Sequence, residues 1–182
     1  MKKFLAFLLI AVVSTSVFAQ KTIIHCGNLI DGKSNDVQTQ MTIEVEGNKI
    51  VKISKGFTKP ESNDKLIDLS KKTVMPGFID MHVHIEGETS KDNALQRFTL
   101  NEADIAFRST MYARKTLMAG FTTVRDLGGS GVNISLRNAI NQGNVVGPRI
   151  FTAGKTIATT GGHGDPTNGY RKDLMGDPGA KE

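Results

Sequence analysis

The chain has 182 residues, 38% hydrophobic and 23% charged, which excludes disordered and collagen-like classes and leaves room for one ordinary domain with a packed core, or one domain and part of another. Its lone cysteine, Cys26, excludes an internal disulfide framework and any cysteine-based zinc finger. The formal net charge is +5, but Lys and Arg are dispersed among Asp and Glu without the concentrated stripe of a nucleic-acid surface, so no nucleic-acid partner is expected.

The first segment, 1–19, reads as a signal peptide of bacterial type. Lys2 and Lys3 form a positive start, Phe4 to Val13 an apolar core, and Val17-Phe18-Ala19 a small-residue cleavage site. The apolar core is shorter than the roughly 20 residues of a spanning helix, and no second apolar run follows. A mature chain starting at Gln20 is therefore expected in the periplasm or outside the cell, with no membrane role beyond export.

Residues 20–75 read as short strands and turns. Thr22 to Cys26 is a β-prone run, and Asp31-Gly32 a turn. Met41 to Glu46 alternates apolar and polar residues as a half-buried strand does, and Gly47-Asn48 returns the chain into Lys49 to Ile53. After a polar loop around Pro60 to Asp64, Lys65 to Leu69 and Thr73 to Met75 add two β stretches. His25 lies within this β-rich unit and reads as structural.

The pattern changes at Pro76-Gly77. Phe78 to His84 is a strand. Asn101 to Ala119 is a helix in which Ile105, Phe107, Met111, Leu117 and Met118 recur at helical spacings, stopped by Gly120. Phe121 to Leu127 is a second strand, Val132 to Asn141 a second helix, and Arg149 to Ala153 a third strand. This β-α-β-α-β order predicts parallel strands joined by right-handed crossovers, an α/β fold.

His82 and His84 lie two apart on a strand, so they point the same way with Cα atoms roughly 6.5–7 Å apart. Two neutral imidazoles at that spacing can converge on one divalent ion, and the C-terminal end of a parallel strand is where such folds place their sites. A bare His-x-His also occurs by chance as a surface pair, and a catalytic zinc wants at least three protein ligands. Asp80 reads as structural, on the face away from the pair. The stretch Gly128-Gly129-Ser130-Gly131 lacks the residues of a P-loop and the spacing of a dinucleotide fingerprint, and reads as a flexible loop.

Pro76-Gly77-Phe78-Ile79-Asp80-Met81-His82-Val83-His84 resembles the first-strand signature of the amidohydrolase superfamily. Gly120 to Asp126 resembles its second strand. Gly147-Pro148-Arg149-Ile150 with Thr160-Gly161-Gly162-His163-Gly164-Asp165 resembles the third strand and its loop in the Xaa-Pro dipeptidase-like and imidazolonepropionase-like branch. The upstream hairpin resembles the β-sandwich segment that precedes the barrel. The resemblance implies a (β/α)8 TIM barrel starting at residue 76, preceded over 20–75 by the N-terminal part of a composite β-sandwich domain.

It also implies hydrolysis of an amide bond assisted by one or two divalent ions, zinc first, that activate water and polarise the carbonyl. His82 and His84 match the first-strand metal ligands, and His163 is placed for a substrate contact. The family's bridging lysine of the fourth strand, its later histidines and its Asp base match no position up to Glu182, so the catalytic residues are unassigned. Lys155 lies too early for the bridging role and reads as a strand or loop residue. Arg125 and Asp126 read as an ion pair or loop cap, and Asp165 as a turn residue.

Because a full barrel needs about 200–250 residues, the segment 76–182 is expected to hold about three of eight strands, an incomplete barrel inactive alone. The expected substrate is a small amide or dipeptide. The alternatives are a cyclic amidase or deaminase of the same superfamily, or a non-catalytic metal-binding fragment. An open sheet edge makes a homo-oligomer a further expectation.

Overall fold

The computed structural model describes residues 20–159. The expected signal peptide and the segment 160–182, with His163 and Asp165, lie outside them. The chain divides into two compact units between Pro76 and Gly77.

The first unit is one four-stranded sheet. Its strands are β1 (Lys21–Leu29), β2 (Gln38–Glu46), β3 (Lys49–Lys55) and β4 (Lys65–Val74), in the order β3-β2-β1-β4. The β2–β3 hairpin is the one the Gly47-Asn48 turn predicts. The two β stretches expected after residue 64 are a single strand, β4, which pairs parallel with β1. A register shift between Cys26 and Asn28 keeps that pairing continuous, and a Cβ at Gly27 would collide with the Ser70 carbonyl.

Cys26, Leu29, Met41 and Ile43 form the core of this unit, and burial pushes the Cys26 thiol pKa up. The alternation of β2 predicts a half-buried strand, yet Met41 to Glu44 are all buried. The polar face is covered too. The Thr42 hydroxyl donates to the Gly56 carbonyl at 2.7 Å and accepts from the Thr58 N–H at 3.0 Å. The Glu44 carboxylate lies between Lys21 and Lys52, at 3.6 and 3.4 Å. His25 stacks on Phe57 and bonds through Nε2 to the Thr58 carbonyl, a structural placement.

The second unit is a three-stranded parallel sheet of β5 (Phe78–Val83), β6 (Phe121–Asp126) and β7 (Arg149–Thr152), in chain order. Helices α1 (Asn93–Thr99) and α2 (Glu102–Met118) connect β5 to β6, and α3 (Val132–Asn141) connects β6 to β7. This is the expected strand–helix alternation, with α1 as an unforeseen extra turn. Asn101 starts α2 with a capping box: its side chain accepts from the Ala103 and Asp104 N–H groups, and Asp104 accepts from the Asn101 N–H.

Helix α2 buries a line of small residues, Ser109 and Ala113, rather than the large apolar residues whose spacing predicts the helix. Phe107, Met111 and Met118 are exposed. Ala113 instead packs with Val124 of β6, Leu136 of α3, Ile150 of β7 and Ile85 to form the core, and its small side chain admits a close approach. Among the described residues, no helix is long and apolar enough to cross a membrane.

Candidate metal centre

His82 lies at the C-terminal end of β5 and His84 just past it, next to the end of β6. A bulge sets their direction. Asp80 pairs with Val124 and Val83 with Asp126, so β5 takes three steps where β6 takes two. Val124 and Asp126 are buried on the helix side of the sheet, and Asp80 and Val83 share that side with their partners. His82 and His84 are left on the opposite face. Strict alternation would group Asp80 with the histidines, so the reading of Asp80 on the face away from the pair holds because of this extra residue. The Asp80 carboxylate instead accepts from the His82 backbone N–H at 3.0 Å.

The two rings are exposed, with centroids 5.5 Å apart and planes at 72°. His84 Nδ1 lies 2.7 Å from the Gly128 carbonyl. A carbonyl oxygen can only accept, so Nδ1 carries the proton and Nε2 keeps a free lone pair. A ring held this way, through the nitrogen that does not bind metal, is how proteins orient a metal-ligating histidine. The donor set, two imidazoles with one tautomer fixed, suits a borderline divalent ion such as Zn2+. It supplies two ligands: among the described residues no group of three or more His, Cys, Asp or Glu converges.

Asp126 is fully buried at the end of β6. One carboxylate oxygen accepts from the Ile85 N–H at 2.8 Å. The other accepts from the Gly128 N–H and from Asn133 Nδ2, both at 2.9 Å. This is the loop cap that the sequence allows. Arg125 is not its ion partner; its Nε donates to the Met81 carbonyl at 2.8 Å.

The loop 128–131 is tied down rather than free. Gly129 donates to the Gly154 carbonyl. The Glu86 carboxylate accepts from the Ser130 N–H at 2.7 Å and the Asn133 N–H at 2.6 Å. The amides that open α3 therefore already hold an anion, the protein's own Glu86. Lys155 pairs with Gly129 across an isolated bridge, as a loop residue. Sequence reasoning missed Glu86 and Asn133. Their signal was weak, since each meets its partners only after the strand ends are brought together.

The sequence model of the amidohydrolase family matches residues 73–179. The chain belongs to this family. Ochratoxinase of Aspergillus niger is 29% identical over 162 residues, 85% of this chain and 32% of its own length. A dihydroorotase of Aquifex aeolicus is 40% identical over 75 residues, 40% of this chain and 17% of its own. Among solved amidohydrolase relatives, a Xaa-Pro dipeptidase with methionine bound in its active site matches with 51% identity and a TM-score of 0.77, over 85% of this chain and 38% of that one. A prolidase complexed with N-methylphosphonate-L-proline matches with 35% identity and a TM-score of 0.71, over 87% of this chain and 36% of that one. The chain spans about a third of the length of the curated ochratoxinase it matches.

Proposed function

We propose that the chain is the N-terminal part of a metal-dependent hydrolase that cleaves the carbon–nitrogen bond of small amides, dipeptides foremost. The observation that carries this reading is the 2.7 Å contact of His84 Nδ1 with the Gly128 carbonyl, beside His82, which leaves Nε2 free for a cation. The likeness to a Xaa-Pro dipeptidase at 51% identity supports the substrate class.

In this reading His82 and His84 hold one side of a divalent ion, zinc first, and further ligands come from elements after Glu182. The ion, when bound, lowers the pKa of water and polarises the scissile carbonyl. The chain's own residues orient the ligands: the Gly128 carbonyl holds the His84 ring, and Asp80 holds the His82 backbone. His163 contacts the substrate, and residues 1–19 direct export to the periplasm or the medium. The composite β-sandwich domain is completed by strands from outside the segment 20–75.

A second reading, a cyclic amidase, draws on the dihydroorotase match of 40% identity over 75 residues. A panel of Xaa-Pro dipeptides and dihydroorotate separates the two, assayed with the full chain and with the chain joined to the later barrel strands of a dipeptidase relative. Dipeptide turnover by the joined protein alone is expected. Turnover by the 182-residue chain alone contradicts its reading as an incomplete enzyme. The chain alone is expected to bind Zn2+ in equilibrium dialysis, and both His82→Asn and His84→Asn should weaken that binding by at least tenfold, about 1.4 kcal/mol or more. Unchanged binding in either variant contradicts the ligand assignment.

A further inference from the structure

The ring of His84 is held by a peptide rather than by a side chain, which moves the question to what holds that peptide. The Gly128 carbonyl faces His84 Nδ1 at 2.7 Å, and the N–H of the same residue donates to Asp126 at 2.9 Å. The other oxygen of Asp126 takes the Ile85 N–H at 2.8 Å, one residue beyond His84. One fully buried carboxylate thus grips the backbone on both sides of the imidazole: the segment that carries the ring and the glycine that orients it.

The carboxylate is itself fixed. Asn133 Nδ2 donates to Asp126 Oδ1 and to the Gly154 carbonyl, both at 2.9 Å, which ties the ends of β6 and β7 to the start of α3. Gly154 also accepts from the Gly129 N–H at 2.8 Å. The Gly128 peptide has little room to turn away, because Thr156 backbone atoms lie 2.7–2.8 Å from where a Cβ on Gly128 would stand. Asp126 has no described salt-bridge partner; its donors are the Ile85 and Gly128 amides, the Asn133 side chain and, at 3.5 Å, the Thr152 hydroxyl. Two of these donors, the Ile85 and Gly128 amides, belong to the backbone around His84.

We propose that Asp126 is a positioning residue for the metal centre: by holding the Ile85 and Gly128 amides it sets the orientation and tautomer of His84 and aims Nε2 at the cation. This rests on the metal-ligand reading of His84 given above. Asp126 acts through Gly128 and touches neither metal nor substrate.

The test uses the full chain, labelled with 15N-histidine, and the variant Asp126→Asn, which keeps side-chain volume but puts an NH2 group where an oxygen accepted. Two quantities are read: the His84 tautomer in metal-free protein from ring 15N shifts, and Zn2+ affinity by competition with a chromophoric chelator. Wild type is expected to show the Nδ1–H tautomer. The folded variant is expected to average between tautomers and to bind Zn2+ about 10- to 100-fold more weakly.

A purely structural Asp126 would lower the melting temperature while leaving tautomer and affinity in place, and that result overturns the proposal. If Asp126→Asn does not fold, the wild-type spectrum decides. A persistent Nδ1–H form supports the proposal, and an Nε2–H or averaged form overturns it. Absence of Zn2+ binding in wild type overturns the metal reading and this proposal together. Equal binding and equal tautomers in both proteins overturn this proposal alone.

Discussion

Gly128 meets two demands at one residue. Its φ is +139°, a region that side chains with a Cβ rarely enter, and Thr156 backbone atoms stand 2.7 and 2.8 Å from the position a Cβ would take. Gly143 offers an internal comparison: its φ is +76°, but a Cβ there would meet nothing within 4 Å. Gly143→Ala should cost only the backbone term, about 1 kcal/mol, whereas Gly128→Ala adds a collision that nothing flexible can relieve and should cost about 3 kcal/mol or more. Chemical denaturation of the two variants measures the difference, and equal costs would show that the Thr156 strand end yields. Gly128→Ala should also displace the carbonyl from His84, so the His84 ring should lose its fixed tautomer while Gly143→Ala keeps it.

Both longer helices of the second unit start where the sequence places them, but they are started by different devices, of which one is local and one is not. Helix α2 is capped from within by Asn101 and Asp104, three residues apart, so its start was legible. Helix α3 begins after Gly131, with no side-chain cap of its own; the Glu86 carboxylate arrives from 44 and 47 residues away to take the Ser130 and Asn133 amides. Asn101→Ala should cost about 1 kcal/mol. Glu86→Ala leaves two amides without their partner at the positive end of the helix and should cost about 2 kcal/mol. Thermal melts of both variants check the order, and a Glu86→Ala cost below that of Asn101→Ala would mean that water replaces the carboxylate.

The same distinction runs through the site. His82 and His84 were legible because a strand's period is local. The bulge that turns Asp80 from them, and the network of Asp126, Asn133 and Glu86, depend on register and on residues distant in sequence. The small buried line of α2 was hidden for a related reason. Hydrophobic spacing marks large side chains, whereas close packing against the sheet selected Ser109 and Ala113.

At the scale of the molecule, the described helices of the second unit cover one face of its sheet, and among the described residues of that unit none covers the other. Val124 and Ile150 are buried with Ala113 and Leu136 from the helices. On the face without helices, Ile79, Met81 and Phe151 keep 61, 55 and 59% of their surface exposed. Among the described residues β5 and β7 each pair on one side only, so apolar surface and unpaired strand edges coincide. Burial is worth about 25 cal/mol per Å2 of apolar surface, so covering three such side chains by a second copy is favourable by several kcal/mol before association entropy is subtracted. The 182-residue chain is therefore expected to self-associate at micromolar concentration, with a mass from light scattering that rises with loading. Ile79→Thr combined with Phe151→Thr places a β-branched residue at both strand positions while removing much of the apolar area. That double variant should shift the population toward monomer without losing the parallel sheet, as read by circular dichroism. A wild-type chain that elutes as a sharp monomer at all loadings and melts cooperatively would show that this face is stable in water as it stands.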